Sequence, residues 1–379
     1  MGLGLALALV FPKVLLGWET FFYRDFGVLA YPVVAYHRQS FWLGEWPLWN
    51  PLSNCGAPFL AQWGTLALYP LSLFYLVLPL PWALHVFCLG HLFLGGLGMY
   101  HLARHWTGRS FAAAVSGTAF VFNGVTLSCL MWPNYAVALG WMPWVVWLVE
   151  RSWRQSGYRP LVAAAVAAAL QLLSGVPEIV FFTWLLLFGI WLGDGFSGHR
   201  RWWRWWLGPG LVLVLAAGLA AAQLAPFFEL LAHSQRTSGF TSVKWSMAPW
   251  GWANLIWPLF RCFKTYQGPF VQIGQEFLSS SYLGTALFGL GLTALVVVRT
   301  KRVWLLSAVA LFSLVMALGD HGAVYSWIRD LLPLVGVARY PIKWVILAAF
   351  TLAWLAAAGA GALEGKRSRR DGPWMILGL

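Results

Sequence analysis

Hydrophobic residues occur along this chain in long runs, and polar residues gather in the stretches between them. An α-helix needs about 20 mostly apolar residues to cross the hydrocarbon core of a bilayer. The runs do not alternate with a period of two, as the strands of an outer-membrane barrel do. The pattern therefore predicts about ten full transmembrane helices, near residues 1–18, 82–103, 110–131, 135–149, 160–176, 178–193, 207–226, 282–298, 303–319 and 341–363.

Three segments need a separate interpretation. Residues 1–18 lack a basic start and a small-residue cleavage site, which favours a first transmembrane helix over a signal peptide. Segment 62–80 is apolar, but a span there would break the alternation of charge described below, so it is predicted to be interfacial or re-entrant. An eleventh run begins at Pro373 and stops at Leu379, as expected of a truncated chain.

Composition agrees with this pattern. Of the 379 residues, 60% are hydrophobic and 10% are charged, against about 45–50% and about 25% in soluble domains. A soluble globular protein and a disordered chain are thereby excluded. The predicted fold class is an all-α, polytopic transmembrane protein whose residues 1–379 form a single integral membrane domain.

The positions of Lys and Arg predict the orientation in the membrane. Loops 104–109, 150–159, 194–206, 299–302 and 364–371 carry 15 Lys and Arg in about 40 residues, whereas the alternate loops carry nine in about 146. Basic loops stay in the cytoplasm, so the N-terminus is predicted to be cytoplasmic. The net charge of +13 follows mainly from these loops, and RRWWRWW at 200–206 is interpreted as an interfacial anchor. No nucleic-acid partner is expected.

Loop length indicates which side carries the function. The outward loops 19–81, 227–281 and 320–343 are long, whereas the cytoplasmic loops only turn the chain. Long ordered loops usually carry binding or catalytic residues. The chain has no Walker motif, dinucleotide-binding fingerprint, HExxH or CxxC sequence, which argues against an ATP-driven pump and a redox protein.

Outward carboxylates are the candidates for acid–base chemistry. Asp25 follows the first predicted helix, among aromatic residues and beside Arg24, which suits a general base at the membrane surface as well as a structural Asp–Arg pair. His37 and Glu45 lie in the aromatic stretch 31–51, which is predicted to lie in the membrane interface. Both are interpreted mainly as structural residues.

Glu178 and Glu229 lie at predicted outward helix ends. Glu178 falls in SGVPE at 174–178, in the first turn of a helix, where the helix dipole favours an anion. Glu229 falls in QLAPFFEL at 223–230. A divalent cation held by Asp25 with Glu229 or Glu45 is possible, although the spacing does not require one.

Outward basic residues are exceptions to the charge bias. Arg339 and Lys343 flank the start of the tenth predicted helix, and Arg236 follows the seventh. Their cationic groups suit a lipid phosphate, and an alternative is that they extend toward lipid headgroups.

An ordered set of motifs resembles the YfhO-type bacterial membrane proteins, which look like members of the GT-C superfamily of glycosyltransferases. The motifs are Asp25, YP at 31–32, GEWPLWNP at 44–51, GAPFLA at 56–61, LYP at 68–70, GLGMYHLAR at 96–104, FNG at 122–124, SGVPE at 174–178, QLAPFFEL at 223–230 with Arg236, YLGTALFGL at 282–290, ALGDHG at 317–322 and ARYPIK at 338–343. They keep their order over almost the whole chain.

The resemblance implies a GT-C-like enzyme of the bacterial cytoplasmic membrane, with its site on the outer face. Its donor would be a polyprenyl-phosphate-linked sugar, and its acceptor a cell-envelope glycan or polymer. Asp25 would be the base or would orient the acceptor, and Arg236, Arg339 and Lys343 would bind the donor phosphate. The remaining acceptor-orienting candidates are Arg24, His37, Glu45, Glu178 and Glu229.

Two other classes of function stay open. A lipid-linked-sugar transporter or flippase needs polar residues and broken helices in mid-membrane, for which Lys13 and the histidines of the second helix are the hints. A non-catalytic membrane scaffold is the other alternative, and truncation of the chain would favour it.

Overall fold

The computed structural model describes residues 2–155, 157–195, 202–234 and 244–371, and these are mostly helical. The α-helices are, in chain order, α1 Gly2–Val10, α2 Pro12–Leu15, α3 Tyr31–Leu43, α4 Leu73–Val77, α5 Trp82–Thr107, α6 Ser110–Phe122, α7 Gly124–Ser128, α8 Pro133–Arg154, α9 Tyr158–Leu172, α10 Pro177–Gly195, α11 Trp202–Leu219, α12 Ala221–His233, α13 Thr285–Val297, α14 Lys301–Ala317, α15 Ala323–Leu331 and α16 Val345–Asp371.

Shorter elements connect these helices. A π-helical turn covers Phe26–Ala30, and 3₁₀ turns cover Trp63–Thr65, Pro70–Ser72, Cys129–Met131, Gly251–Leu255, Gly319–His321, Pro333–Ala338 and Pro341–Trp344. Strand β1 (Trp49–Asn50) pairs antiparallel with β2 (Ala57–Pro58), and β3 (Cys262–Lys264) with β4 (Phe270–Gln272).

Within the described residues, four helical stretches are long and apolar enough to cross a membrane, as a membrane protein requires. They are Trp82–Thr107, Ser110–Met131, Pro177–Gly195 and Pro341–Gly365. A fifth is added if the bent pair Leu207–Leu219 and Ala221–His233 counts as one span. A mostly helical chain with helices long enough to span a membrane is thus confirmed, whereas the predicted count of about ten spans is not.

The segments that the sequence set apart from the main spans are described only in part. Residues 1–18 divide into α1 and α2 at Phe11, because Pro12 begins α2 and supplies no backbone N–H. Segment 62–80 contains only short helical turns, of which α4 is the longest with five residues. The predicted run from Pro373 lies outside the described residues, as does the start of the 200–206 anchor.

The chain divides into two compact units, and the first comprises Met1–Gly95 and Cys129–Phe240. In this unit α8 packs against α9, α10 and α11. A Cβ added to Gly140 of α8 would lie 2.7 Å from the carbonyl oxygen of His91, so the glycine permits close helix packing. The Trp141 indole N–H donates to the Tyr69 hydroxyl (2.8 Å), which donates in turn to His91 Nε2 (2.6 Å).

The second unit comprises Gly96–Ser128 and Thr241–Leu379. Its centre is α16, which packs against α6, α13 and α14 and buries an alanine-rich surface. A Cβ added to Gly359 would lie 1.9 Å from the carbonyl oxygen of Leu290. Small residues therefore let α16 and α13 approach closely, as is common between membrane helices. The prediction of a single membrane domain for 1–379 is not tested by this division.

Candidate functional site

A cavity of about 250 Å³ opens in the first unit beside Asp25. Three segments form its walls: residues 25–34, which run from Asp25 through the π-helical turn into α3, residues 62–66, and residues 132–135 at the start of α8. Apolar side chains such as Leu29, Val33 and Val34 form one side. The polar groups of the lining are Asp25, Gln62, Thr65, Trp132, Asn134 and Tyr135.

Asp25 is positioned by an irregular backbone. Arg24 has a φ of +50°, in the left-handed region that non-glycine residues rarely adopt. The π-helical turn starts immediately after Asp25, and such turns are frequent at functional sites. The Trp132 indole N–H donates to Asp25 Oδ2 at 2.6 Å, so one carboxylate oxygen is fixed while the half-buried side chain still lines the cavity.

The 60–65 segment is held by three contacts. The Trp63 indole N–H donates to the Leu172 carbonyl (2.7 Å), and the buried Gln223 amide donates to the Leu60 carbonyl (2.6 Å). The Trp63 ring also packs 4.8 Å from the ring of Phe227. These contacts attach the 60–65 segment, which forms one wall of the cavity, to α9 and α12.

Glu178 supports the opposite wall. It lies in the first turn of α10, as predicted, but it is buried at 6% exposure instead of lying at the surface. The Tyr135 hydroxyl donates to Glu178 Oε1, and the Tyr135 ring lies 5.0 Å from the ring of Trp132. Glu178 therefore orients Tyr135, which lines the cavity, although Glu178 is not itself a lining residue.

The other predicted carboxylates and histidine lie outside the cavity lining. Glu45 is exposed beyond the end of α3, and Glu229 is exposed on α12. His37 is buried in α3 beside Phe59 and Tyr75. Burial lowers the pKa of His37 to about 4, so its imidazole is neutral at physiological pH.

Among the described residues, neither Arg339 nor Lys343 lines this cavity. Arg339 and Lys343 belong to the second unit, and Arg236 lies outside the described residues. Arg339 is exposed over the ring of Tyr340, 5.1 Å from its centroid. Lys343 is buried, with Nζ 4.9 Å from the Phe277 ring centroid and 5.2 Å from that of Tyr340.

A divalent cation stays a prediction. Within the described residues, no cluster of three or more His, Cys, Asp or Glu side chains is suitably placed to hold a metal ion. Asp25 is the one predicted ligand that lines the cavity, whereas Glu45 and Glu229 are exposed elsewhere.

Sequence reasoning missed Gln62, Thr65, Trp132, Asn134 and Tyr135. The sequence could have identified Asn134 and Tyr135 as candidates, because these polar residues follow Pro133 at the start of a helix on the predicted outward side. Nothing in the sequence identifies Gln62 and Thr65, because the segment that contains them is recognisable only as apolar. Comparison with protein-family models, characterised proteins and solved structures finds no match to this chain.

Proposed function

We propose that this chain is a membrane glycosyltransferase of the GT-C type. It would transfer a sugar from a polyprenyl-phosphate-linked donor to a cell-envelope acceptor on the outer face of the bacterial cytoplasmic membrane. The observation that carries the proposal is the Asp25 carboxylate in a cavity of about 250 Å³, among amide and hydroxyl side chains. A carboxylate within reach of a bound hydroxyl is what a general base requires.

The proposed reaction uses Asp25 as its base. Trp132 holds Asp25 Oδ2, and Oδ1 accepts the proton of the acceptor hydroxyl. The hydroxyl oxygen attacks the anomeric carbon, the bond from that carbon to the phosphate oxygen breaks, and the polyprenyl phosphate leaves with the electron pair. The transition state resembles an oxocarbenium ion, as in glycoside hydrolysis.

Other parts of the proposal rest on the sequence. Arg236, Arg339 and Lys343 are the proposed donor-phosphate ligands, because cations stabilise the charge that develops on a leaving phosphate. Membrane lipids would surround about ten spans and the donor tail, with the N-terminus in the cytoplasm. A divalent cation near Asp25 is compatible with the proposal.

The test uses the full chain in proteoliposomes, with a radiolabelled polyprenyl-phosphate glucose as the donor probe and release of polyprenyl phosphate as the readout. Loss of a general base lowers rates by about 10²–10⁴-fold, so Asp25→Asn should lower turnover at least about a hundredfold. Glu19→Gln is the matched control, because this exposed carboxylate begins the same outward loop and does not line the cavity. Full turnover by Asp25→Asn would refute the catalytic role.

Transport of a lipid-linked sugar is the second candidate function. The observation that favours it is the bend of 81° between Leu207–Leu219 and Ala221–His233, because broken helices form substrate sites in many transporters. A fluorescent lipid-linked sugar that changes leaflet in vesicles, at a rate unaffected by Asp25→Asn, would support transport over transfer.

A further inference from the structure

Helix α13, in the second unit, is too short to cross a membrane by itself. Its 13 residues are about 20 Å long at 1.5 Å per residue, whereas the hydrocarbon core of a bilayer is about 30 Å thick. It nevertheless packs along α16, which lies in the spanning stretch Pro341–Gly365. The chain that precedes α13 therefore lies where a longer helix would continue.

Contacts between the two helices fix the depth at which α13 begins. Leu283, just before α13, lines the same apolar cavity as Ala349. Farther along, Leu290 of α13 approaches Gly359 of α16, so the two helices run in the same direction. Because Ala349 comes eight residues after Pro341, α13 begins about 12 Å inside the spanning stretch.

Hydrogen bonds hold the preceding loop at this depth. The Leu283 backbone N–H donates to the Leu255 carbonyl at 3.1 Å, and the Thr285 hydroxyl donates to the Ile256 carbonyl at 2.7 Å. The chain that follows Leu255, residues 256–261, is named the 256–261 turn. It therefore starts beside the spanning stretch and not beyond its end.

The 256–261 turn exposes large apolar side chains. Trp257 is 69% exposed and Leu259 is 50% exposed, and Ile256 is exposed as well. A group of exposed apolar side chains of this kind marks a surface that contacts a partner or a membrane. At the depth of this turn, the surroundings of these side chains are the acyl chains of lipid.

The backbone of the loop also meets a requirement that lipid imposes. Irregular backbone at membrane depth is tolerated only where its polar groups are satisfied within the protein or by water in a cavity. The buried Asn254 amide donates to the Phe260 carbonyl at 3.0 Å. The buried Gln275 side chain donates to the Leu278 carbonyl at 2.9 Å and accepts from the Leu278 backbone N–H at 3.0 Å. Buried amides thus serve the backbone from inside, while the apolar side chains stay on the surface.

The charge of this loop favours an anionic lipid. Residues 241–275 include Lys244, Arg261 and Lys264 but no Asp or Glu. Arg261 and Lys264 are both exposed, and the Arg261 guanidinium lies 5.1 Å from the Trp250 ring centroid. Long cationic side chains extend from an apolar surface to the headgroups, and each one strengthens the attraction to anionic lipid.

We propose that the 256–261 turn is a re-entrant membrane anchor. It inserts Ile256, Trp257 and Leu259 among the acyl chains of the leaflet in which the spanning stretch of α16 begins, and it places Arg261 and Lys264 on the phosphates of anionic phospholipids. A soluble partner such as a glycan would need the turn to stand in water, beyond the end of that stretch. The anchor does not depend on the proposed transferase reaction.

Spin-label depth measurements on the full chain in nanodiscs test the anchor. The native cysteines are replaced by serine, and a nitroxide is attached to Trp257→Cys or to Leu259→Cys. A label on Leu292→Cys, an exposed residue of α13, is the embedded control, and free spin-labelled cysteine is the aqueous reference. At all three positions oxygen should relax the label more than a water-soluble nickel chelate does, whereas the reference should show the reverse.

Crosslinking tests the contact with anionic lipid. Nanodiscs of phosphatidylcholine contain a photoactivatable phosphatidylglycerol, and mass spectrometry measures its crosslinks to residues 250–275. Lys264→Gln should lower the yield about fivefold, as expected for loss of one cation near the lipid surface. Arg329→Gln is the matched control and should leave the yield unchanged, because Arg329 already pairs with Asp330 at 3.2 Å.

Two results would overturn the proposal. Labels at 257 and 259 that respond more to the nickel chelate than to oxygen, while the label at 292 stays embedded, would place the turn in water and favour a soluble partner. An unchanged crosslinking yield in Lys264→Gln would refute the contact between this cation and lipid phosphate. Neither measurement involves sugar transfer, so the transferase is tested separately.

Discussion

His37 lies on the buried side of α3 at 4% exposure, between the rings of Phe59 and Tyr75. Nδ1 of His37 has no hydrogen-bond partner among the described residues. Burial penalises the charged imidazole, which is why the pKa falls from 6.5 to about 4. The neutral ring therefore packs against these two aromatic side chains.

This shift in pKa predicts how stability depends on pH. Because the folded pKa lies below the unfolded value, unfolded chains bind a proton that folded chains do not. The contribution of neutral His37 to the free energy of unfolding should be fully present above about pH 6.5. It should fall by up to about 3 kcal/mol as the pH is lowered toward about 4. His37→Phe should remove this part of the dependence. Unfolding in detergent at pH 7.5 and 4.5 measures it for both proteins, and an identical pH dependence in the two would contradict the prediction.

Residue type alone could not separate the carboxylates of this chain. Asp25, Glu45, Glu178 and Glu229 were all candidates because each falls in an outward loop or at a predicted helix end. Their environments diverge only once tertiary packing is present, with Asp25 in a cavity, Glu178 buried and the other two exposed. The position of Asp25 relative to the first helix was the one local signal that distinguished it.

At the scale of elements, the turn between α9 and α10 is packed against the 3₁₀ turn that carries Gly64. Gly175 has a φ of +67°, and a Cβ added there would lie 2.1 Å from the Trp63 carbonyl oxygen. Position 175 requires glycine for two reasons, the left-handed backbone conformation and the close approach of the two segments. This approach places Gly64 beside Asn134, where an added Cβ would lie 3.2 Å from the amide nitrogen.

Gly175→Ala should therefore destabilise the fold by about 2–5 kcal/mol, adding the cost of overpacking to that of a left-handed alanine. Gly44→Ala is the matched control, because Gly44 has a φ of +70° and no atom within 4 Å of an added Cβ. That control should lose about 1 kcal/mol. Chemical unfolding in detergent measures both variants, and equal losses would show that the contact with Trp63 contributes nothing.

The seventh predicted span shows where hydropathy is insufficient. Residues 207–226 read as one apolar run, but the helix breaks between Leu219 and Ala221 and turns by 81°. After the bend, Gln223 reaches the Leu60 carbonyl and Phe227 packs against Trp63. These contacts are long-range in sequence, so a window of hydropathy could not have detected the bend.

At the scale of the whole molecule, the apolar runs of the sequence and the helices of the structure give different span counts. The apolar runs, with the alternation of charge between them, predict about ten spans, whereas four stretches of the described chain meet the length and hydropathy requirements. The disagreement is sharpest at α8, which has 22 residues. At a rise of 1.5 Å per residue it is about 33 Å long, so its length permits a crossing although it is not one of the four stretches.

Packing within the first unit favours a crossing by α8. Near the start of the helix Tyr135 contacts Glu178 at the start of α10, and at its end Arg154 pairs with Asp194 at 2.6 Å near the end of α10. The two helices therefore run parallel over their full lengths. Because α10 is one of the four spanning stretches, a helix beside it from end to end should span as well, with Arg151 and Arg154 at the cytoplasmic end.

Cysteine labelling decides the question, because the two topologies place residues 107 and 155 differently. If α8 crosses, two spans separate these positions, and Thr107→Cys and Gln155→Cys should both be labelled only from the cytoplasm. If α8 does not cross, one span separates them, and they should be labelled from opposite sides of the membrane.

Each variant is made with the native cysteines replaced by serine, and a chain that keeps only the exposed Cys55 serves as the outward control. A membrane-impermeant maleimide applied to intact and permeabilised cells gives the readout, and labelling of Gln155→Cys in intact cells would refute the charge-based topology.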